Sequence, residues 1–145
     1  LFAARLARGL TLLTQGTAYD ITTNQYVNPS DWQDRPLTRF IVGDHIPIVR
    51  GDDEQNRRTW CYTLGLSKFG VDEIEMFLPA GLPDQPVRDM LRDTADELTR
   101  TGQSPKVGSH ISLGPGQNVT IANHRTVAPA GRMLGFREIR TLPTS

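Results

Sequence analysis

The residues with chemical potential gather between Trp60 and Pro79, in the run WCYTLGLSKFGVDEIEMFLP. It holds the one cysteine, Cys61, together with Lys68 and three carboxylates, Asp72, Glu73 and Glu75. A thiol beside a histidine could act as a nucleophile, with His110 or His124 as its base. Paired carboxylates could work across a cleft on a glycosidic bond. A lysine between glycines could touch a phosphate.

Spacing argues against each of these. A phosphate loop places lysine and then serine or threonine directly after its second glycine, so that the lysine opens a helix. In Gly65–Gly70, reading GLSKFG, the lysine lies inside the bracket and Val71-Asp72 follows. The segment therefore reads as a chain reversal whose glycines accept positive φ, with Phe69 packing back on the core. A reactive thiolate needs an exposed, electropositive position. Cys61 lies instead in mid-strand between Trp60 and Tyr62, the place of a small buried hydrophobe. His45, His110 and His124 are isolated from one another, without the close pairing on one element that metal sites use. No catalytic residue, metal or cofactor is assigned. Glu73 and Glu75 share a strand face opposite Ile74, Met76 and Leu78, which predicts a solvated acidic edge and a half-exposed strand. Ser67, Lys68, Asp72, Glu73 and Glu75 are the expected binding surface.

The elements that position these residues follow from periodicity. Leu1, Phe2, Leu6, Leu10 and Leu13 recur at helical spacing, predicting a helix to about Leu13 with Gly16 as its left-handed cap. The chain reads as beginning inside that helix, with residues expected upstream of Leu1. Thr17–Ile21 and Gln25–Val27 read as paired strands. Leu37–Val42 and Ile46–Arg50 are β-rich, and Gly51–Asn56 is a polar loop. Arg58, Trp60, Tyr62 and Leu64 alternate as a strand. Asp84–Thr101 is the strongest helix: Asp84 as N-cap, Pro86 in the first turn, and Val87, Met90, Leu91, Ala95 and Leu98 on one face. His110–Leu113, Val119–Ala122 and Met133–Thr141 are further strands, the first two joined by Gly114-Pro115-Gly116. The order predicts one α+β domain over 1–145, a mainly antiparallel sheet with two helices packed on it.

Composition narrows the partners. The chain has 145 residues and a formal net charge of zero, so no bulk field favours nucleic acid or an anionic membrane. No stretch approaches the ~20 apolar residues of a membrane-spanning helix. Between Gly51 and Arg100 there are eleven acids and six bases; beyond Thr101, Glu138 is the one acid against Lys106, Arg125, Arg132, Arg137 and Arg140. A nucleic-acid face would interleave aromatics with those arginines, and only Phe136 qualifies. A lone cysteine excludes a disulfide framework and suits a reducing cytoplasm.

The run TWCYTLGLSKFGVDEIEM resembles a bacterial family of unknown function, in which a strand ending Thr-x-Gly-Leu/Met meets a Phe-Gly-x-Pro/Asp-Glu segment. Here those positions are Thr63, Gly65, Leu66, Phe69, Gly70, Asp72 and Glu73. Tyr19-Asp20, Gln25-Tyr26-Val27, Trp32, Gly108-Ser109-His110-Ile111 and Arg137-Glu138-Ile139 fit the same pattern, and Asp72 departs from it where proline is common. The resemblance implies an α+β accessory or immunity-type module without known catalytic residues. The expected function is thus a non-catalytic module that binds another protein. The alternatives are a small hydrolase or transferase using Cys61, Lys68 or His110 near the Trp60–Asp72 loop, and nucleic-acid binding through the basic C-terminal segment.

Overall fold

The computed structural model of the protein describes residues 1–35, 37–127 and 134–142. The fold is α+β, and the chain divides into two compact units, Leu1–His45 and Ile46–Ser145, where the sequence alone reads as one domain.

In the first unit, α1 (Phe2–Thr14) precedes a hairpin of β1 (Ala18–Asp20) and β2 (Gln25–Val27), then α2 (Pro29–Gln33) and α3 (Val42–His45). The hairpin turns on Asp20, whose carboxylate accepts the backbone N–H groups of Thr22 and Thr23. A capping box between Asn28 and Asp31 starts α2. Val27, Trp32 and Leu37 form a small core, lined by Ala4, Ala7 and Ala18. Two expectations fail here. The left-handed cap of α1 is Gln15, at φ 57°, rather than Gly16. The β-rich run Leu37–Val42 forms no strand, because Leu37 turns into the left-handed region at φ 52° and buries its side chain to 3% exposure, and Val42 opens a helical turn. Core burial overrides β-propensity at that point.

The second unit is a six-stranded mixed sheet in the order β3-β4-β5-β8-β7-β6. Its strands are β3 (Ile48–Asp53), β4 (Arg58–Thr63), β5 (Glu73–Pro79), β6 (His110–Gly114), β7 (Gln117–Val127) and β8 (Leu134–Thr141). Among the described residues only β5 and β8 pair in parallel. The predicted strand start at Met133 lies outside the described residues. The predicted loop Gly51–Asn56 is instead the end of β3 followed by a 3₁₀ turn, Glu54–Asn56.

The helix α4 (Gln85–Thr101) matches its predicted span, closes on Gly102 and packs against β3, β4, β5 and β6. Leu91, Thr94, Ala95 and Leu98 are its buried face. Strand register places Cys61, Thr63, Ile74, Met76, Ile121 and Ile139 together on one buried face of the sheet. Asp84 does not cap the helix through its side chain; its carboxylate pairs with Arg88 at 3.0 Å. No helix among the described residues is long and apolar enough to cross a membrane.

Candidate functional site

Strand β5 is central, with β4 on one side and β8 on the other, and this overturns the expectation of a solvated acidic edge. Glu73 and Glu75 are each 1% exposed. A carboxylate is buried only when its charge is answered by donors, and each member of the Asp72, Glu73, Glu75 group has its own.

Glu73 fills the loop that resembles a phosphate cradle. Its carboxylate accepts the backbone N–H groups of Gly65 at 2.7 Å, Leu66 at 3.2 Å and Ser67 at 3.3 Å, and the Thr63 hydroxyl at 2.7 Å. The geometry needs Gly65 at φ 123° and Gly70 at φ 74° on either side of the 3₁₀ turn Leu66–Phe69. The segment is thus an anion nest, and its anion is supplied by the chain itself. Burial pushes the Glu73 carboxyl above the usual carboxylate range, against four hydrogen bonds that favour its charge. Ser67 and Lys68 are exposed on this turn, so of the expected binding group they and half-buried Asp72 remain accessible.

Asp72 lies on the α4 side of the sheet. Its carboxylate accepts from Arg137 Nε at 2.9 Å and stands 3.4 Å from His124 Nε2, while its N–H donates to Ser104 Oγ at 2.8 Å. A side chain at Gly135 would bring a Cβ to 2.7 Å from Asp72 Oδ1, so the glycine makes room for this cluster. His110 stays apart, paired with Thr120 four positions down β7 from His124. Among the described residues no three His, Cys, Asp or Glu side chains form a metal-binding group.

Glu75 anchors the opposite face. Trp60 donates its indole N–H to Glu75 Oε2 at 2.7 Å, and Arg125 closes two nitrogens on the same carboxylate. The hydrogen bonds to Glu75 hold the Arg125 guanidinium above its ordinary range. That guanidinium lies 5.1 Å from the Trp60 ring and 5.5 Å from Phe136, which is fully buried. Trp60 and Tyr62 stack at 4.0 Å. Arg58 covers Phe77 at 4.0 Å and pairs with Asp53, drawing that carboxyl below its usual range.

Arg58, Trp60, Glu75, Phe77 and Arg125 line a cavity of about 530 Å³ with Asp52, Asp53, Asn56, Asn123 and Glu138. Three of its charged pairs are local: Arg58 with Asp53, Arg125 with Glu75, and Glu138 with Arg140.

A one-residue bulge in β7 decides which side chains face this cavity. Ile121 pairs with Ile139, and the next register pair is Asn123 with Glu138. Ala122 is therefore extra, and the alternation beyond it flips. Without the flip Arg125 would point toward α4 and His124 toward the cavity. Sequence reasoning names Trp60, Tyr62 and Arg125 separately but does not join them. The alternation of Arg58, Trp60 and Tyr62 is legible; the contacts of Trp60 with Glu75 and Arg125 and of Tyr62 with Phe136 are not.

Cys61 is fully buried on the α4 side of the sheet, and burial raises its thiol above the ordinary range. Both effects oppose a thiolate nucleophile.

No family model matches the chain. It is similar to transferrin receptor protein 2 of Homo sapiens, 28% identical over 134 residues, covering 81% of this chain and 16% of that protein. The chain thus spans less than a fifth of the relative it matches.

Proposed function

We propose that this chain is a non-catalytic protein-interaction module of the accessory or immunity type, from the bacterial family its Trp60–Glu73 wording resembles, and that it works in the cytoplasm. The carrying observation is the open sheet face around Trp60. It gathers Trp60, Phe77, Arg58 and Arg125 about one cavity, with Tyr62 stacked on Trp60 and α4 on the other face. Tryptophan, tyrosine and arginine are the residue types that dominate binding energy at protein interfaces. The two arginines are already paired, with Asp53 and Glu75, so a partner docks on them without leaving a bare guanidinium behind. Of the residues expected to bind, Glu75 lines this cavity and holds Trp60 from below, while Ser67, Lys68, Asp72 and Glu73 do not line it. The 16% of transferrin receptor protein 2 that this chain spans does not carry that protein's partner over to it, and the reading rests on the sheet face. Affinity purification of the tagged chain from its native host tests the reading. One protein co-purifying in a fixed ratio is the expected result; a chain that never co-purifies with a protein overturns it.

A second reading has one observation in its favour. His124 beside Asp72 is the arrangement in which a carboxylate orients a base, so a small hydrolase or transferase could centre there. Turnover of an activated ester that disappears in His124→Ala supports it, and no turnover removes it. Nucleic-acid binding loses its main support, because Arg125, Arg137 and Arg140 each pair with an acid; Arg132 lies outside the described residues.

A further inference from the structure

The first unit leaves an unusual amount of apolar surface in solvent. Of the eleven large hydrophobic side chains exposed among the described residues, nine belong to Leu1–His45. The helix α1 is built the reverse of an ordinary surface helix. Its inward face is small, with Ala4 and Ala7 packed on the Val27, Trp32 and Leu37 core and Thr11 buried beside them. Its outward face carries Phe2 at 82% exposure, Leu6 at 55%, Leu10 at 54% and Leu13 at 82%. At about 100° per residue these four fall on one stripe, opposite the inward face.

We propose that a second copy of the chain covers this stripe, its α1 packing antiparallel on the first around a two-fold axis near Arg8 and Gly9. The stripe is self-complementary under that operation. Phe2 meets Leu13 of the other copy and Leu6 meets Leu10, which is the isologous pairing a two-fold requires. Gly9 flanks the midpoint of the stripe. No atom lies within 4 Å of where its Cβ would be, so nothing inside the chain requires glycine there. Glycine in mid-helix is unfavourable relative to alanine, and close approach of a second backbone gives it a reason. The charged residues of α1, Arg5 and Arg8, lie off the stripe, and Arg5 is bonded to the Leu37 carbonyl at 3.0 Å. Like charges therefore do not meet across the axis. The stripe offers several hundred Å² per copy, somewhat below the ~800 Å² each partner contributes to a standard interface, which puts the dimer among the smaller, reversible interfaces.

Sedimentation of the full chain across the micromolar range tests this. A monomer–dimer equilibrium is expected. Replacing both Leu6→Glu and Leu10→Glu should weaken it by at least about tenfold with far-UV circular dichroism unchanged, since both side chains are already exposed in the monomer. Gly9→Cys should oxidise to a disulfide-linked dimer quickly, and Leu13→Cys slowly, because Leu13 faces Phe2 rather than itself. A monomer at every concentration overturns the proposal, as does a dimer indifferent to the glutamates. Faster linkage at Leu13 than at Gly9 overturns the antiparallel arrangement. Pelleting of a monomeric wild type with phosphatidylglycerol vesicles, lost in the double variant, would make a lipid surface the occupant instead and would equally overturn it.

Discussion

Arg125 reaches fifty positions back along the chain to close Nε and Nη2 on the two carboxylate oxygens of Glu75, at 2.7 and 2.5 Å. The pair stands between Trp60, Phe77 and Phe136 and fixes the indole of Trp60 through the same carboxylate. Removing the guanidinium leaves a carboxylate that is 1% exposed without its cation. Arg125→Ala is therefore expected to lower stability by about 2–3 kcal/mol, less than a fully buried pair would lose, because the arginine side chain is 35% exposed. Arg125→Met with Glu75→Leu should lose less than Arg125→Ala alone. Denaturant unfolding of the variants measures both.

Glu73 in its nest gives a pH dependence with a definite sign. Its folded value is raised by burial, so its contribution to stability is fullest below the unfolded value near 4.3 and declines as pH rises through the folded value. Glu73→Gln is expected to cost about 1–3 kcal/mol near pH 4, through lost hydrogen bonds to Leu66 and Thr63, and less near pH 8. Unfolding of wild type and variant at the two pH values checks this; a cost that grows with pH contradicts it.

The bulge at Ala122 sets which side of β7 meets the cavity. Deleting Ala122 removes the extra residue while keeping Asn123 opposite Glu138, His124 opposite Arg137 and Arg125 opposite Phe136, so Arg125 stays on Glu75. The deletion is expected to give a folded protein whose Trp60 indole N–H resonance stays close to that of the wild type. A Trp60 indole released from Glu75 would contradict the register argument.

Cys61 should resist thiol reagents in the native protein and react stoichiometrically after denaturation, because it is fully buried and its thiol is raised by burial. Rapid native labelling would reopen the thiol reading of the site.

What the sequence revealed divides along a physical line. Features set by neighbours in the chain were legible: the amphipathic α4 with Gly102 behind it, the alternating β4, the Gly65–Gly70 reversal and the buried Cys61. Features set by distant partners were not. Glu73 and Glu75 read as a solvated edge because their donors are loop N–H groups and an arginine on β7, neither of which alternation shows. Leu37 read as strand by composition, yet its backbone follows a core that Val27 and Trp32 complete. Arg125 was visible only as one charge in a basic segment, because a one-residue bulge flips its direction without any glycine or proline to announce it.

The interaction reading is tested most directly by the affinity of the purified partner for three proteins: wild type, Asn123→Arg in the cavity lining, and Asp93→Arg on the exposed side of α4. Asn123→Arg is expected to weaken binding by about tenfold or more, with Asp93→Arg within about twofold of wild type. Equal affinity for wild type and Asn123→Arg, or loss confined to Asp93→Arg, would contradict the assignment of the Trp60 face as the binding surface.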